Sequence, residues 1–472
     1  MTSWLFGLVI PLVHLLGFVS AGLALMSSRT SQGAVAWIIS LVTLPYLAVP
    51  AYWIFGRPRF YGYVSARGER DTVLRRVLAR YRVLIEPYLA DARDPDIRAV
   101  EQLAMMPLTS GNRAELLIDG RATFDSIFAG IDAAEDYVLV QFFIVRNDAL
   151  GMRLKEHLQA AAERGVRVYF LFDEVGSRKL PEGYLRELTD VGIEVTAFRS
   201  SRGFKHRFQL NFRNHRKVLV VDGREGWLGG FNVGVEYLGQ HPRHGPWRDT
   251  HLKLTGPSVL GLQEAFWEDW HWATGEVIWL CWEPQTTCVE CQNVVIVPSG
   301  PADRQETASL LVQHAIHSAH ERLWVTSPYF VPDQGVQDAL RLAAMRGVDV
   351  RIMIPEHPDH LLVYLSAFSF LPDMVRAGVK VYRYQPGFLH QKVILIDDSA
   401  ASVGTVNLDN RSFRLNFEIT AFIPDRRFAA EVRLMLERDF AACRRIGYDE
   451  LQNRPLWRKL ISRAAYLTSP IQ

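Results

Sequence analysis

The sequence predicts an α/β protein made of two copies of one unit, set behind an apolar hairpin at the N-terminus. Three observations predict it. Two long apolar stretches open the chain, one order of strands and helices then runs twice, and each run ends in the same cationic cassette. At 472 residues the chain is long enough for two or three domains with cores of their own.

The apolar stretches are Trp4–Met26 and Ala34–Gly56. As a helix each is ~35 Å long, enough for a hydrocarbon core of roughly 30 Å. A signal peptide fits the first poorly, since it lacks a basic leader, its apolar region is too long and a second apolar stretch follows at once. Ser27–Gly33 carries only Arg29, whereas Arg57–Arg82 holds eight arginines against Glu69 and Asp71. The bias of basic residues toward the inner face therefore predicts a two-helix transmembrane hairpin over 1–56 with both ends in the cytoplasm. A basic juxtamembrane segment, 57–106, follows it, including a helix over Thr72–Leu89 with a basic face.

The duplication begins near residue 107. YVLVQFFIV, 137–145, is a continuous apolar run suited to a buried strand. Ala149–Glu163 has helical spacing, RGVRVYFLF at 164–172 is a strand, Leu180–Val191 is helical, and GIEVTAF is a short strand. The second half answers with RLWVTSPYFV at 322–331, RGVDVRIMI at 346–354 and AGVKVYRY at 377–384. Matching landmarks lie 175 to 186 positions apart, so a whole domain is repeated, 107–290 and then 291–450. The tail, 451–472, mixes apolar and basic residues at helical spacing, fitting either an interfacial helix or one packed on the domain.

Each half ends in a cassette. NHRKVLVVDGREGWLGGFN carries His215, Lys217, Asp222 and Asn232; LHQKVILIDDSAASVGTVN carries His390, Lys392, Asp397 and Asn407. An exposed basic strand end accounts for one such motif but not for two at equivalent places. VLVVD and VILID read as strands that send each His and Lys to one face. A twofold axis between the halves would bring two imidazoles and two ammonium groups to one cleft. A phosphodiester needs that set: cations on its non-bridging oxygens, a nucleophile on one side of phosphorus and a proton donor on the other. Histidine can act as nucleophile or acid, and two lysines can supply the charge with no metal.

The pattern HxKxxxxDxxxxxxGxxN in two copies resembles the phospholipase D superfamily at every position, and within it the bacterial cardiolipin synthases over nearly the whole chain. AWIISLVTLPYLAVPAYWIFG, GGFNVGVEYLG, WRDTHLKLTGPSV, TSPYFVPD and ASVGTVNLDNRSFRLNFEIT carry the closer likeness. The resemblance implies two tandem phospholipase D-like α/β sandwich domains with pseudo-twofold symmetry. It implies a phosphatidyl transfer from one phosphatidylglycerol to another that yields cardiolipin and glycerol without a cofactor. His215 would be the nucleophile and His390 the acid and base, with Lys217, Lys392, Asn232 and Asn407 on the phosphate. The site would lie at the bacterial inner membrane among anionic lipids. Which histidine attacks first, and whether the chain forms a homo-oligomer, stay open.

Asp222 and Asp397 belong to the signature, yet both fall at strand ends beside turns, where a structural role fits better than chemistry. Asp249 and Glu418, 34 and 28 residues beyond the two histidines, each open an apolar strand and are expected to orient the imidazole of their own half. RSSRGFKHR, 199–207, could gather anionic headgroups. His241 and His244 are read as non-ligands, and the four cysteines, including the CxxC of Cys288 and Cys291, as unreactive thiols, since no zinc-spaced partners accompany them. A phospholipase D-type hydrolase, or a transferase with another acceptor, carries the same cassettes. A nuclease would want a basic groove, for which a net charge of +2 gives no support, so no nucleic-acid partner is expected. A non-catalytic lipid scaffold would not need both histidines.

Overall fold

The computed structural model describes residues 2–56, 60, 63, 81–91, 93–199, 211–240, 245–286 and 291–472. Most of the arginine-rich segment, the basic-faced helix before residue 81, most of the 199–207 loop, His241, His244 and Cys288 lie outside these residues. Cys281 and Cys443 are free. Cys291 is disulfide-bonded, so the expectation of an unreactive thiol fails there; a thiol pair within bonding reach needs no further ligands.

The first half contributes β1 (Thr109–Ile118), β2 (Tyr137–Phe142), β3 (Arg167–Asp173), β4 (Glu194–Phe198), β5 (Arg213–Asn214), β6 (Val218–Val221), β7 (Glu225–Gly229), β8 (Trp247–Arg248) and β9 (Thr250–Thr255). The second contributes β10 (Gln292–Ser299), β11 (Arg322–Thr326), β12 (Phe330–Val331), β13 (Asp349–Pro355), β14 (Lys380–Tyr384), β15 (Phe388–Leu389), β16 (Val393–Ile396), β17 (Ala400–Gly404), β18 (Leu408–Asp409), β19 (Asn416–Ile423) and β20 (Cys443–Arg445). One sheet runs through both, ordered β4-β3-β2-β6-β7-β9-β1 and then β10-β19-β17-β16-β11-β13-β14-β20. The strand order outward from the seam is the same in both halves, apart from β20 at the far end of the second, and at the seam β1 and β10 pair antiparallel. The seam is therefore where the pseudo-twofold axis falls.

Alternation along the strands sorts the core into layers. Val138 and Val140 of β2 face the helices Asp119–Asp132 and Ala149–Glu163, whereas Tyr137 and Leu139 face the opposite side. On that side the helices Val259–Thr274 and Arg426–Ala441 pack in one cluster that spans both halves, with Trp267, Trp270 and Phe428 buried in it. Each such side chain contributes roughly 1.5–3 kcal/mol by leaving water. The repeat is real in space, and its two copies share a core.

The N-terminal region departs from the expected hairpin. α1 (Thr2–Ser27) is a single helix, but the second apolar stretch is split into α2 (Ser31–Thr43) and α3 (Pro45–Phe55). Pro45 lacks an N–H and clashes with the preceding turn, so the chain breaks at Leu44 and restarts with Pro45 in the first turn of α3. Among the described residues only Leu8–Ser27 is long and apolar enough to cross a membrane. The tail forms the helix Leu456–Tyr466, packed on the domain along one side. Ser462 and Ala465 pack on the domain, while Leu456, Trp457, Leu460 and Ile461 stay exposed.

Candidate active site

Each cassette begins on a two-residue strand laid parallel on the other half. β5 pairs with β19, Asn214 opposite Phe417, and the His215 N–H donates to the Phe417 carbonyl at 2.9 Å. β15 pairs with β8, Leu389 opposite Arg248, and the His390 N–H donates to the Arg248 carbonyl at 2.8 Å. The histidine and lysine of each cassette precede β6 and β16, which begin at Val218 and Val393 as VLVVD and VILID predicted.

That reciprocal pairing decides which carboxylate meets which imidazole. His215 Nδ1 lies 2.8 Å from Glu418 Oε2, and His390 Nδ1 lies 2.6 Å from Asp249 Oδ2. The expectation that each carboxylate serves its own half is therefore corrected: the pairs cross the seam. The reason is backbone geometry, because the residue after Phe417 is Glu418 and the residue after Arg248 is Asp249. An ionised carboxylate only accepts, so each ring carries its proton on Nδ1 and keeps the Nε2 lone pair.

The carboxylates are themselves held. Glu418 Oε1 accepts from Ser412 Oγ at 2.8 Å and from Asn416 Nδ2 at 3.1 Å. Asp249 Oδ1 accepts from the Thr250 N–H at 2.8 Å. Gly230 lies so close to Asp249 that an added Cβ would stand 2.0 Å from Oδ1.

Lys217 Nζ donates to the His215 carbonyl at 2.6 Å, and Lys392 Nζ donates to the His390 carbonyl. Each lysine thereby uses one of three donors. Both are buried, as are both histidines, Asp249 and Glu418. Burial pushes His215 down to about 4 and Lys392 down to about 8. Burial, then the charges of Lys392 and Lys217, push His390 well below its ordinary value; Lys217 is lowered by burial too. Asp249 is raised by burial to about 6, while Glu418, despite burial, is held below its ordinary value by His215 and Lys217. Near neutrality both imidazoles are thus uncharged and both carboxylates ionised.

The asparagines are less free than the signature suggested. Asn232 Oδ1 accepts from the Ile144 N–H at 3.1 Å and its Nδ2 donates to the Tyr237 hydroxyl at 2.7 Å, leaving one N–H. The Asn407 backbone N–H donates to Ser412 Oγ at 3.2 Å, and its side-chain oxygen is buried without a partner.

The signature aspartates serve turns, as their positions suggested. Asp222, at φ 53°, accepts from the N–H groups of Glu135, Asp136 and Tyr137 at 2.8–2.9 Å. Asp397, at φ 49°, accepts from His320, Glu321 and Arg322. Each ties the turn after its cassette strand to the start of the neighbouring strand, β2 or β11, and neither carboxylate bonds to a cassette His or Lys.

Several supporting residues escaped the sequence reading. Asp269 accepts from Arg216 (2.9 Å), Asn214 (2.7 Å) and Gln141 (2.7 Å). Its counterpart Asp439 accepts from Arg248 (2.7 Å) and Gln391 (2.8 Å). These two acids grip the residues beside each histidine. Nothing in EDWHW sets Asp269 apart from the neighbouring Glu268, so the sequence carried no signal for it. Asp359 accepts the Tyr329 hydroxyl at 2.7 Å and stands near enough to favour the charged forms of His390 and Lys392. Phe143 packs edge-on to His215 at 5.0 Å, and Trp247 flanks His390 at 5.3 Å.

Two histidine–lysine pairs set across a twofold seam, each ring oriented by a buried carboxylate, define a phospholipase D-type site. The family described as cardiolipin synthase, PLD-like domain, matches residues 127–241 and 312–440. The chain is 49% identical over 479 residues to a cardiolipin synthase A of Pseudomonas putida, covering 100% of this chain and 98% of that one. A cardiolipin synthase A of Pseudomonas aeruginosa is 48% identical over 472 residues, covering 98% and 96%. The phosphatidylserine synthase of Haemophilus influenzae shares the fold, with a TM-score of 0.59 at 17% identity over 80% of this chain and 100% of that one. The chain belongs to the cardiolipin synthase family of the phospholipase D superfamily.

Proposed function

We propose that the protein is a membrane-associated phosphatidyltransferase that makes cardiolipin from two molecules of phosphatidylglycerol. The reciprocal pairing of His215 with Glu418 and His390 with Asp249 carries the mechanism. His215 Nε2 attacks phosphorus; the N–P bond forms as the bond from phosphorus to the glycerol oxygen breaks. His390 takes up a proton at Nε2 as the negatively charged phosphodiester binds beside it, and the leaving oxygen takes that proton. Glycerol departs, and the terminal hydroxyl of a second phosphatidylglycerol gives its proton to His390 as its oxygen displaces His215. Lys217 and Lys392, with the remaining N–H of Asn232 and the amide of Asn407, hold the non-bridging oxygens. One phosphodiester replaces another, so no nucleotide is consumed. The order of the histidines follows the superfamily; the geometry treats them alike.

The arginine-rich segment after α3 supports a cytoplasmic position for the catalytic halves. Purified protein incubated with phosphatidylglycerol alone tests the reaction. Cardiolipin plus glycerol by mass spectrometry is the expected result. Phosphatidic acid plus glycerol without cardiolipin would make it a hydrolase, and His215→Ala or His390→Ala with near-normal turnover would sink the shared site.

A further inference from the structure

The N-terminal region was expected to cross the membrane twice, with Ser27–Gly33 on the face away from the catalytic halves. The contacts of that connection oppose this. Arg29 forms an ion pair with Glu306 at 3.2 Å. Met26 to Arg29 also form one wall of a cavity of about 320 Å³ whose other wall is Gly300, Pro301, the 303–306 segment and Phe413. The entry to α2 is therefore on the domain's side.

The exit from α3 is on that side too. The Phe60 N–H donates to the Pro301 carbonyl at 3.1 Å. Its ring is fully buried in the core, 5.0 Å from both Phe212 and Trp272. Tyr63 donates to Asp269 Oδ1 at 2.9 Å, beneath the first cassette. A segment that enters and leaves beside the same loop does not cross.

The internal packing gives its depth. α2 runs back along α1, so that Gly17 meets Leu41 and Pro45; a Cβ there would stand 2.5 Å from the Leu41 carbonyl oxygen. α3 then returns in the direction of α1, with Tyr46 beside His14 (3.4 Å), Trp53 donating to Ser20 (3.1 Å) and Tyr52 beside Ser27 (3.3 Å). At 13 and 11 residues the two helices are ~20 and ~16 Å long, short of a core of roughly 30 Å. The 20-residue Leu8–Ser27 part of α1 does reach across. The break at Leu44 keeps its backbone bonds, its N–H donating to the Ser40 carbonyl and its carbonyl accepting from Leu47 and Ala48, which lets it lie at membrane depth. Outward, Leu12, Leu15, Phe18, Val35, Ile39 and Leu47 are exposed, a surface that suits acyl chains.

We infer that α1 is the single membrane crossing among the described residues and that α2 and α3 form a re-entrant wedge in the leaflet facing the catalytic halves, leaving the start of α1 on the opposite side from them. This reading is independent of the reaction proposed above.

Single cysteines introduced into the full-length protein test it, probed with a membrane-impermeant maleimide in spheroplasts and in inverted vesicles. Thr2→Cys reports the N-terminus, Gln32→Cys the entry to α2, and Met345→Cys the catalytic side, with labelling after detergent as the accessibility control. Gln32 and Met345 are exposed in the structure. The expected result is that Gln32→Cys and Met345→Cys label from one side and Thr2→Cys from the other, whichever side that is. Gln32→Cys labelling opposite Met345→Cys would restore the two-pass hairpin. All three labelling from one side would show that α1 does not cross. If detergent fails to expose Gln32→Cys, glycosylation-acceptor tags inserted after residue 32 and before residue 2 give the same two-sided readout.

Discussion

His215 of the first half takes its orientation from Glu418 of the second, 2.8 Å away, and His390 takes its own from Asp249 of the first. Neither half is a complete half-site, because each contributes a reactive ring and the carboxylate for the other ring. Glu418→Gln should therefore slow the step carried by His215. Trapping the phosphatidyl-enzyme by quenching in alkaline denaturant, which spares the acid-labile P–N bond, and mass spectrometry, we expect adduct formation to fall by about 10³–10⁴-fold, the scale on which loss of a His-orienting carboxylate acts in triad hydrolases. Asp249→Asn should instead slow transfer of the adduct to the second phosphatidylglycerol, the step in which His390 takes the hydroxyl proton, and so prolong the adduct's lifetime. The opposite assignment of effects would restore pairing within each half.

Charge balance predicts proton uptake on ligand binding. With both imidazoles neutral, Lys217 and Lys392 offset Asp249 and Glu418. A bound phosphate-like anion adds negative charge beside His390 and favours its protonated form. Calorimetry of tungstate binding near pH 7, in buffers of different ionisation enthalpy, should show close to one proton taken up per site. Zero uptake, or release, would contradict this balance.

Lys392, lowered by burial to about 8, sets an alkaline limit on anion binding. It is charged below that value and neutral above it. Tungstate affinity should thus fall up to about tenfold per pH unit above about pH 8, following loss of one ammonium charge. Lys392→Arg should flatten this limb even where overall affinity drops, since a guanidinium keeps its proton throughout. An unchanged limb in Lys392→Arg would point to another group.

The turn aspartates separate stability from chemistry. Asp222→Ala leaves the N–H groups of Glu135, Asp136 and Tyr137 without their acceptor, at a cost of about 1–3 kcal/mol or more. A lower thermal midpoint with turnover retained at reduced temperature is expected. Full loss of turnover in a folded Asp222→Ala protein would give the residue a chemical role.

The duplication, the alternation of elements and the two cassettes were legible because each leaves a periodic or repeated mark on the chain. The partner of each histidine was not. Asp249 and Glu418 could be picked out as acids opening apolar strands, but the sequence offers nearness along the chain, whereas pairing follows the backbone bonds of β5 on β19 and β15 on β8. Two-residue strands leave no hydrophobic pattern to read. The α2–α3 break had a visible cause in Pro45, yet composition alone made one apolar run of it. Asp269 and Asp439 were missed because each stands next to another charged residue, Glu268 or Arg438, and so looks like a surface position until the sheet is laid beneath it.

The seam also imposes an order in time. Glu418 lies 203 residues after His215, so at about 5–20 residues per second a ribosome needs roughly 10–40 s to add it. During that interval the first imidazole has been made but has nothing to fix its tautomer, and the strand that carries it has no β19 to lie on. A nascent chain already delivered to the lipid surface is thereby inert toward the phosphodiesters around it until nearly all of it has been synthesised.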